Sequence, residues 1–315
     1  MDVAPKRLGS SIVRYLLQES KHLVQVRAVT RDPSKPEAKA LEALGASVVA
    51  GDFDDASSIR QAVSGAQVIF HNTDFWGVLS VDKEVAQGLT IAEAAADVNS
   101  LEHFVFSGLS NPEKLFNGKY KNNLPYNSKS RIERGIREKF PALWTKTTTI
   151  YLGLYHSNWL LPVFSPVKVA ENTYQLSRPY DSSARIPSVS AVDTGIVVDS
   201  ILKGGKKYHG KIVAIYSEWI SEKDKLRTWA ECLNVKADFK RVSQEEYRQQ
   251  MEQLGLPPAI AQGAQELVSM LGEGVNYISG DAIIDARTHE QIIDPSYHMK
   301  TWADSVRDLN WTTVL

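Results

Sequence analysis

A-P-K-R-L-G-S-S-I-V-R-Y-L-L, residues 4–17, decides how the rest of the chain is read. Ile12, Val13, Leu16 and Leu17 recur at helical spacing after Gly9, and Ser10 or Ser11 stands where an N-terminal cap belongs. A helix opened this way presents free N–H groups and the positive end of its dipole, which together make an anion site. Where a buried strand runs into such a turn, three spaced glycines let the backbone approach a pyrophosphate. Here only Asp2, Val3 and Ala4 lie between Met1 and Pro5, and Val3 and Lys6 occupy the places of the first two glycines. The stretch therefore reads as a truncated or damaged form of that fingerprint. Gly9 and Ser10 are its remaining phosphate-facing residues.

Working outward, short β-branched runs alternate with helical patterns. The strands are H-L-V-Q-V-R-A-V-T (22–30), S-V-V-A-G-D (47–52), A-Q-V-I-F-H-N (66–72), E-H-F-V-F-S (102–107) and T-T-T-I-Y-L (147–152). Helices are expected at 37–44, 56–64, 82–98 and 126–138. Such alternation means a parallel sheet with crossover helices, so the fold class is α/β with a Rossmann-type doubly wound sheet. Residues 1–153 form this dinucleotide-binding domain, with its first strand truncated. Residues 154–315 read as a smaller α/β lobe, interleaved with the first and closing over the strand ends. Its helices fall at 191–203, 221–234, 243–254 and 257–272, and its strands at 211–216 and 237–242.

Composition narrows the classes. The chain has 315 residues, 43% hydrophobic and 23% charged, as in an ordinary globular protein. A net charge of −1 gives no field that would draw it to nucleic acid or to a membrane. The basic run G-G-K-K-Y-H-G-K (204–211) reads as a solvated turn, so direct nucleic-acid binding is not expected. No apolar run reaches the ~20 residues that span a bilayer. The N-terminus lacks the apolar stretch of a signal peptide. The lone Cys232 cannot form an internal disulfide, which suits the cytoplasm or the nucleus. The histidines show no metal-ligand spacing, so no metal is expected.

In this architecture ligands sit at the carboxyl ends of the strands. Arg31 ends the second strand of the pattern, where a basic residue meets an adenosine 2′-phosphate; NADP(H) is the expected cofactor, with NAD(H) also admitted. Asp52 offers an acceptor to adenine and Phe53 a packing face, although the same acids would serve as a strand-end turn and helix cap. Asn72, Thr73, Ser107 and Tyr151 end the next three strands. Phe75, Trp76, Tyr155 and Trp159 supply an aromatic lining or simply core.

Together G-S-S-I-V-R-Y-L-L (9–17), V-R-A-V-T-R-D-P (26–33), G-D-F-D-D (51–55), T-D-F-W (73–76) and Y-N-S-K-S-R-I-E (126–133) resemble the NmrA-like family, atypical members of the short-chain dehydrogenase/reductase superfamily. Y-L-G-L-Y-H-S-N-W (151–159) and I-P-S-V-S-A-V-D-T-G (186–195) look like the matching C-terminal elements. The resemblance implies an NAD(P) domain, a smaller lobe and a cleft between them. It also implies one of two roles. Some members are NAD(P)-binding regulators or redox sensors that contact other proteins. Others are NADPH-dependent reductases, related to isoflavone and quinone reductases and acting on small metabolites.

For Lys129 the resemblance implies a hold on the nicotinamide ribose and a lowered pKa for an acid tyrosine four residues earlier. Pro125 stands there instead, and Tyr126 is one place off, a turn of ~100° on a helix. Lys129, Tyr126 and Ser107 are the candidate catalytic residues. The missing acid and the altered turn favour a sensor or regulator with weak or no catalysis and weakened cofactor binding. Its partner would be a regulatory protein or a small ligand in the cleft, with an oligomer left open. The alternative is an NADPH-dependent oxidoreductase of a small aromatic or polyketide-like metabolite. The absent first strand would leave two neighbours unpaired at the middle of the sheet. Three readings remain for it: a foreshortened strand at residues 1–5, a variant of the gene product, or another chain in the gap.

Overall fold

The computed structural model describes residues 5–20, 24–273 and 286–315. In the first half the strands are β1 (Arg27–Thr30), β2 (Ser47–Ala50), β3 (Val68–His71), β4 (His103–Gly108) and β5 (Thr147–Leu152). The helices between and around them are α1 (Pro5–Gln18), α2 (Pro36–Ala43), α3 (Ala56–Val63), α4 (Phe75–Val78), α5 (Val81–Ala96), α6 (Pro112–Leu115), α7 (Leu124–Lys139) and α8 (Pro141–Trp144). The second half adds β6 (Leu154–Tyr155), β7 (Val167–Ala170), β8 (Thr173–Arg178), β9 (Arg185–Val189), β10 (Ile212–Ile215), β11 (Glu218–Ser221), β12 (Lys236–Arg241) and β13 (Ala286–Thr288). Its helices are α9 (Thr194–Gly204), α10 (Glu222–Leu233), α11 (Gln244–Gln253), α12 (Pro258–Leu271) and α13 (Trp302–Asp308).

The main sheet has the order β13-β10-β5-β4-β3, with every pairing parallel. β4 and β5 are buried at every position, as strands covered on both faces must be. The α/β parallel class read from the sequence is the observed one. β10 and β13 come from the second half of the chain, so the predicted strand at 211–216 extends the main sheet instead of lying in the smaller lobe. That lobe contains two three-stranded sheets, β11-β9-β6 and β12-β8-β7. Its core is aromatic: Trp159, Trp229 and Trp302 are wholly buried and Trp311 nearly so.

β1 and β2 pair with each other and form a separate two-stranded sheet. Among the described residues β1 and β3 are both sheet edges, and Val29 and Val68 on them are 41% and 40% exposed. The residues before Pro5 lie outside the described chain. Two helices hold the pieces together. In α1, Leu8 and Ile12 pack with Val105 and Ile150 of the main sheet, while Val13 packs with Leu41 and Ala46 beside β2. In α3, Ile59 packs with Ile69 and Phe104 and also lies close to Gly51, which Val29 approaches as well.

Two helix starts differ from the reading of the sequence. α1 begins at Pro5, so Gly9 lies inside the helix and neither Ser10 nor Ser11 is its cap. The reason is local: proline at a first helical position has no N–H to leave unsatisfied and already has the right φ. The Ser11 hydroxyl instead lies 2.8 Å from both the Leu8 and Ala191 carbonyls, tying α1 to the turn before α9. α7 likewise begins at Leu124 with Pro125 in its first turn, which puts Lys129 in the second turn.

Gly153, between β5 and β6, allows a close backbone approach. A Cβ there would sit 2.6 Å from the Pro187 carbonyl oxygen and 3.2 Å from the Ser188 nitrogen. Gly153→Ala is therefore expected to cost about 1–3 kcal/mol, by forcing β6 from β9. Urea unfolding reads this; an unchanged midpoint would contradict so tight an approach.

Candidate functional site

The carboxyl ends of β3 and β4 and the second turn of α7 meet at Lys129. Its Nζ lies 3.1 Å from Asn72 Oδ1, 3.1 Å from the Thr73 carbonyl, 3.2 Å from Thr73 Oγ1 and 3.3 Å from the Ser107 carbonyl. Only 11% of the side chain is exposed. The predicted residues Asn72, Thr73, Ser107 and Lys129 are therefore one cluster. Ser107 takes part through its backbone carbonyl. A Cβ on neighbouring Gly108 would collide with Thr149 Cγ2 at 2.7 Å, so the strand packs closely there.

Behind this cluster stands Glu84 on α5, with no solvent exposure. Thr73 Oγ1 donates to its Oε1 at 2.6 Å, Ser128 Oγ donates to its Oε2, and Lys129 Nζ lies 3.8 Å from Oε1. Burial pulls the Lys129 pKa down, while Glu84 first and Asp74 second push it up. The sequence reading missed Glu84. Its signal was there: a lone carboxylate at the position of an apolar stripe, in register with Gly88, Ile91 and Ala95.

Tyr126 is 6% exposed and belongs to the aromatic core of the second half, with Tyr151 and Trp159. Burial, together with nearby Tyr155, raises its pKa well above that of a free phenol. The Tyr151 hydroxyl donates to Glu133 Oε2 at 2.8 Å, one helical turn beyond Lys129. Burial raises the Glu133 carboxyl, and that bond opposes the rise.

The other predicted residues lie at neighbouring strand ends. Arg31 is exposed at the end of β1. Asp32 beside it is turned away into its own loop, accepting from Ser34 N at 2.9 Å and Ser34 Oγ at 2.6 Å. Asp52 accepts from the Asp54 amide at 3.0 Å, and Phe53 packs on the Ile59–Phe104 core. Asp55 caps α3 through the Ser57 and Ser58 amides. Asp52 thus makes the strand-end turn and Asp55 the helix cap. Gly9 is exposed and helical.

His71 is enclosed by Phe104 and Phe106 at 5.5 and 5.1 Å between ring centroids, and neither ring nitrogen has a hydrogen-bond partner. Burial pulls its pKa down to about 3; it does the same to His156, to about 3, and to His103, to about 4. The unfolded chain takes up these protons from about pH 6.5 downward, and the folded chain does so only near pH 3–4. Stability is therefore lost as pH falls below about 6.5, by roughly 4 kcal/mol per pH unit for the three histidines together. Glu133 and Asp193, raised by burial, offset part of this. Denaturant midpoints between pH 7 and 5 test it, and a flat profile would contradict it.

Among the described residues no cluster of three or more His, Cys, Asp or Glu side chains could hold a metal, and no helix is long and apolar enough to cross a membrane. A dinucleotide fits two parts of the site. At one end stand the Lys129 cluster and its carbonyls; at the other stand Arg31, Asp52 and Phe53. Residues 1–4 lie outside the described residues.

A parallel α/β sheet with crossover helices defines the Rossmann-type class. The NmrA-like family model matches residues 4–304, and the chain belongs to that family. An NmrA-like family domain-containing protein of Dictyostelium discoideum is 24% identical over 242 residues, covering 76% of this chain and 78% of its own. The NmrA-like family domain-containing oxidoreductase malD of Malbranchea aurantiaca is 28% identical over 244 residues, covering 74% and 72%. Among solved structures, the negative transcriptional regulator NmrA in complex with NAD superposes with a TM-score of 0.75 at 18% identity, over 96% of this chain and 92% of that one. The NADPH-dependent quinone oxidoreductase QOR2 of Escherichia coli, complexed with NADPH, gives a TM-score of 0.71 at 16% identity, over 96% and 95%.

Proposed function

We propose that this chain binds a nicotinamide dinucleotide, NADP(H) before NAD(H), and serves as a redox sensor or regulator with weak or no catalysis. The observation that carries the reading is Lys129, held on acceptors from β3 and β4 at the carboxyl edge of the sheet. In this reading Lys129 donates to the nicotinamide ribose, and Asn72 and Thr73 line the same end. Arg31 meets the 2′-phosphate, and Asp52 and Phe53 meet the adenine. The dinucleotide would supply hydride chemistry. What this chain contributes to that chemistry is incomplete, because Tyr126 is packed in the aromatic core and its phenol is held far from acidic. Val3 and Lys6, standing in place of two turn glycines, weaken the hold on the pyrophosphate. The partner is a regulatory protein or a small ligand near the strand ends, and the exposed free Cys232 suits a reducing cytoplasm or nucleus.

The second reading is an NADPH-dependent reductase of a small aromatic metabolite. Fungal relatives named as oxidoreductases favour a reductase, and the rings of Phe75 and Trp76, 5.4 Å apart just after Thr73, favour an aromatic ligand. NADPH oxidation, followed with quinones and aromatic carbonyl compounds, separates the two. Background rates support the sensor; turnover of about 1 per second, within the common enzyme range, would establish the reductase.

A further inference from the structure

Glu84 is a carboxylate with no access to water, placed behind a lysine that does have some. Such a group is costly to bury unless its oxygens are satisfied. Both are, and by groups from different elements: Thr73 follows β3, and Ser128 lies in α7. Thr73 has one hydroxyl proton. It gives that proton to Glu84 Oε1 at 2.6 Å, so its oxygen faces Lys129 as an acceptor at 3.2 Å. The result is a directed chain, Lys129 to Thr73 to Glu84, with the opposite charges 3.8 Å apart.

We propose that Glu84 is a positioning residue that holds Lys129 as an ammonium aimed at the ends of β3 and β4, so that the lysine meets its ligand as a hydrogen-bond donor and not as a base. The proposal rests on the dinucleotide reading above for what the ligand is, but not for the state of the lysine. The groups facing Lys129 are Glu84 from α5, Asp74 from the loop before α4, and His71 from β3. His71 stays neutral in its phenylalanine enclosure and adds no attraction. Glu84 is the larger of the two acidic influences, and Asp74 remains when it is removed. Its position also explains why α5 and α7 must lie close. A Cβ at Gly88 on α5 would meet Ile132 Cδ1 of α7 at 2.6 Å, so a glycine there lets Glu84 reach the Ser128 hydroxyl.

The test is a pH titration of the lysine side chains by NMR, with 13C-labelled lysine in the full chain and Lys129 assigned through Lys129→Arg. In Glu84→Gln the size is kept and the charge is lost. The Lys129 midpoint should then fall by at least one unit, about a tenfold gain in neutral amine at a given pH. NADPH affinity should weaken in parallel as pH rises through the new midpoint, a dependence that a merely structural role would not produce. An unchanged Lys129 midpoint in the folded variant overturns the proposal. Thr73→Val breaks the chain without removing a charge. It decides the matter if Glu84→Gln does not fold: a smaller downward shift supports the proposal, and a wild-type midpoint overturns it. Failure of the unaltered chain to bind NADPH would defeat the cofactor reading, while the lysine titration still decides the role of Glu84.

Discussion

Lys129→Ala is expected to weaken NADPH binding at least tenfold. A hydrogen bond from a charged donor contributes about 1.5–3 kcal/mol, which is roughly 10- to 150-fold in affinity. The change also removes the cation beside Glu84. Thr73 and Ser128 continue to satisfy the carboxylate, so the fold should survive with a lower melting temperature. Calorimetric titration together with a thermal melt reads both effects. Under the reductase reading the same variant would lose most of its turnover. Unchanged affinity in a folded variant would remove Lys129 from the ligand site.

Arg178→Ala should have the largest effect on stability, about 3–5 kcal/mol, because it leaves a buried acid without its partner. Arg178 and Glu222 are 2% and 1% exposed, and Nε lies 3.2 Å from Oε2. The guanidinium also donates to the Phe164 carbonyl at 2.6 Å and the Ser177 carbonyl at 3.0 Å, so it joins β8 to the segment after β6. Burial alone would lower the arginine's pKa, but Glu222 and the surrounding tyrosines raise it, keeping the charge in place. Urea unfolding of Arg178→Ala, Glu222→Ala and the double variant tests this. The double variant should lose less than the two single losses added together, since it leaves no orphaned charge. Additive losses would mean that the pair acts as two independent groups.

The main sheet was legible because its strands are short apolar runs between helical patterns, and both periodicities are local. Asn72, Thr73 and Ser107 were legible for the same reason, since strand ends are local features that topology brings together, whereas Lys129 was found through the resemblance of its helix to the family. What was not local was not read. β10 joins β5 after an excursion of some sixty residues through two small sheets, and periodicity carries no record of such a pairing. Glu84 acquires its meaning only when α5, α7 and the Thr73 loop converge. The start of α1 was misplaced because Gly9 and two serines form a stronger pattern than Pro5, although proline at the first turn fixes the backbone more firmly.

The central claim is that the residues around Lys129 hold a nicotinamide dinucleotide although Val3 and Lys6 replace two turn glycines. Calorimetric titration of the purified chain with NADPH and with NADH, its N-terminus verified by intact mass, tests this most directly. The account predicts saturable 1:1 binding of NADPH, tighter than NADH because of Arg31 and weakened by Lys129→Ala. No heat of binding with either dinucleotide would contradict it and leave the fold as a scaffold for protein contacts alone.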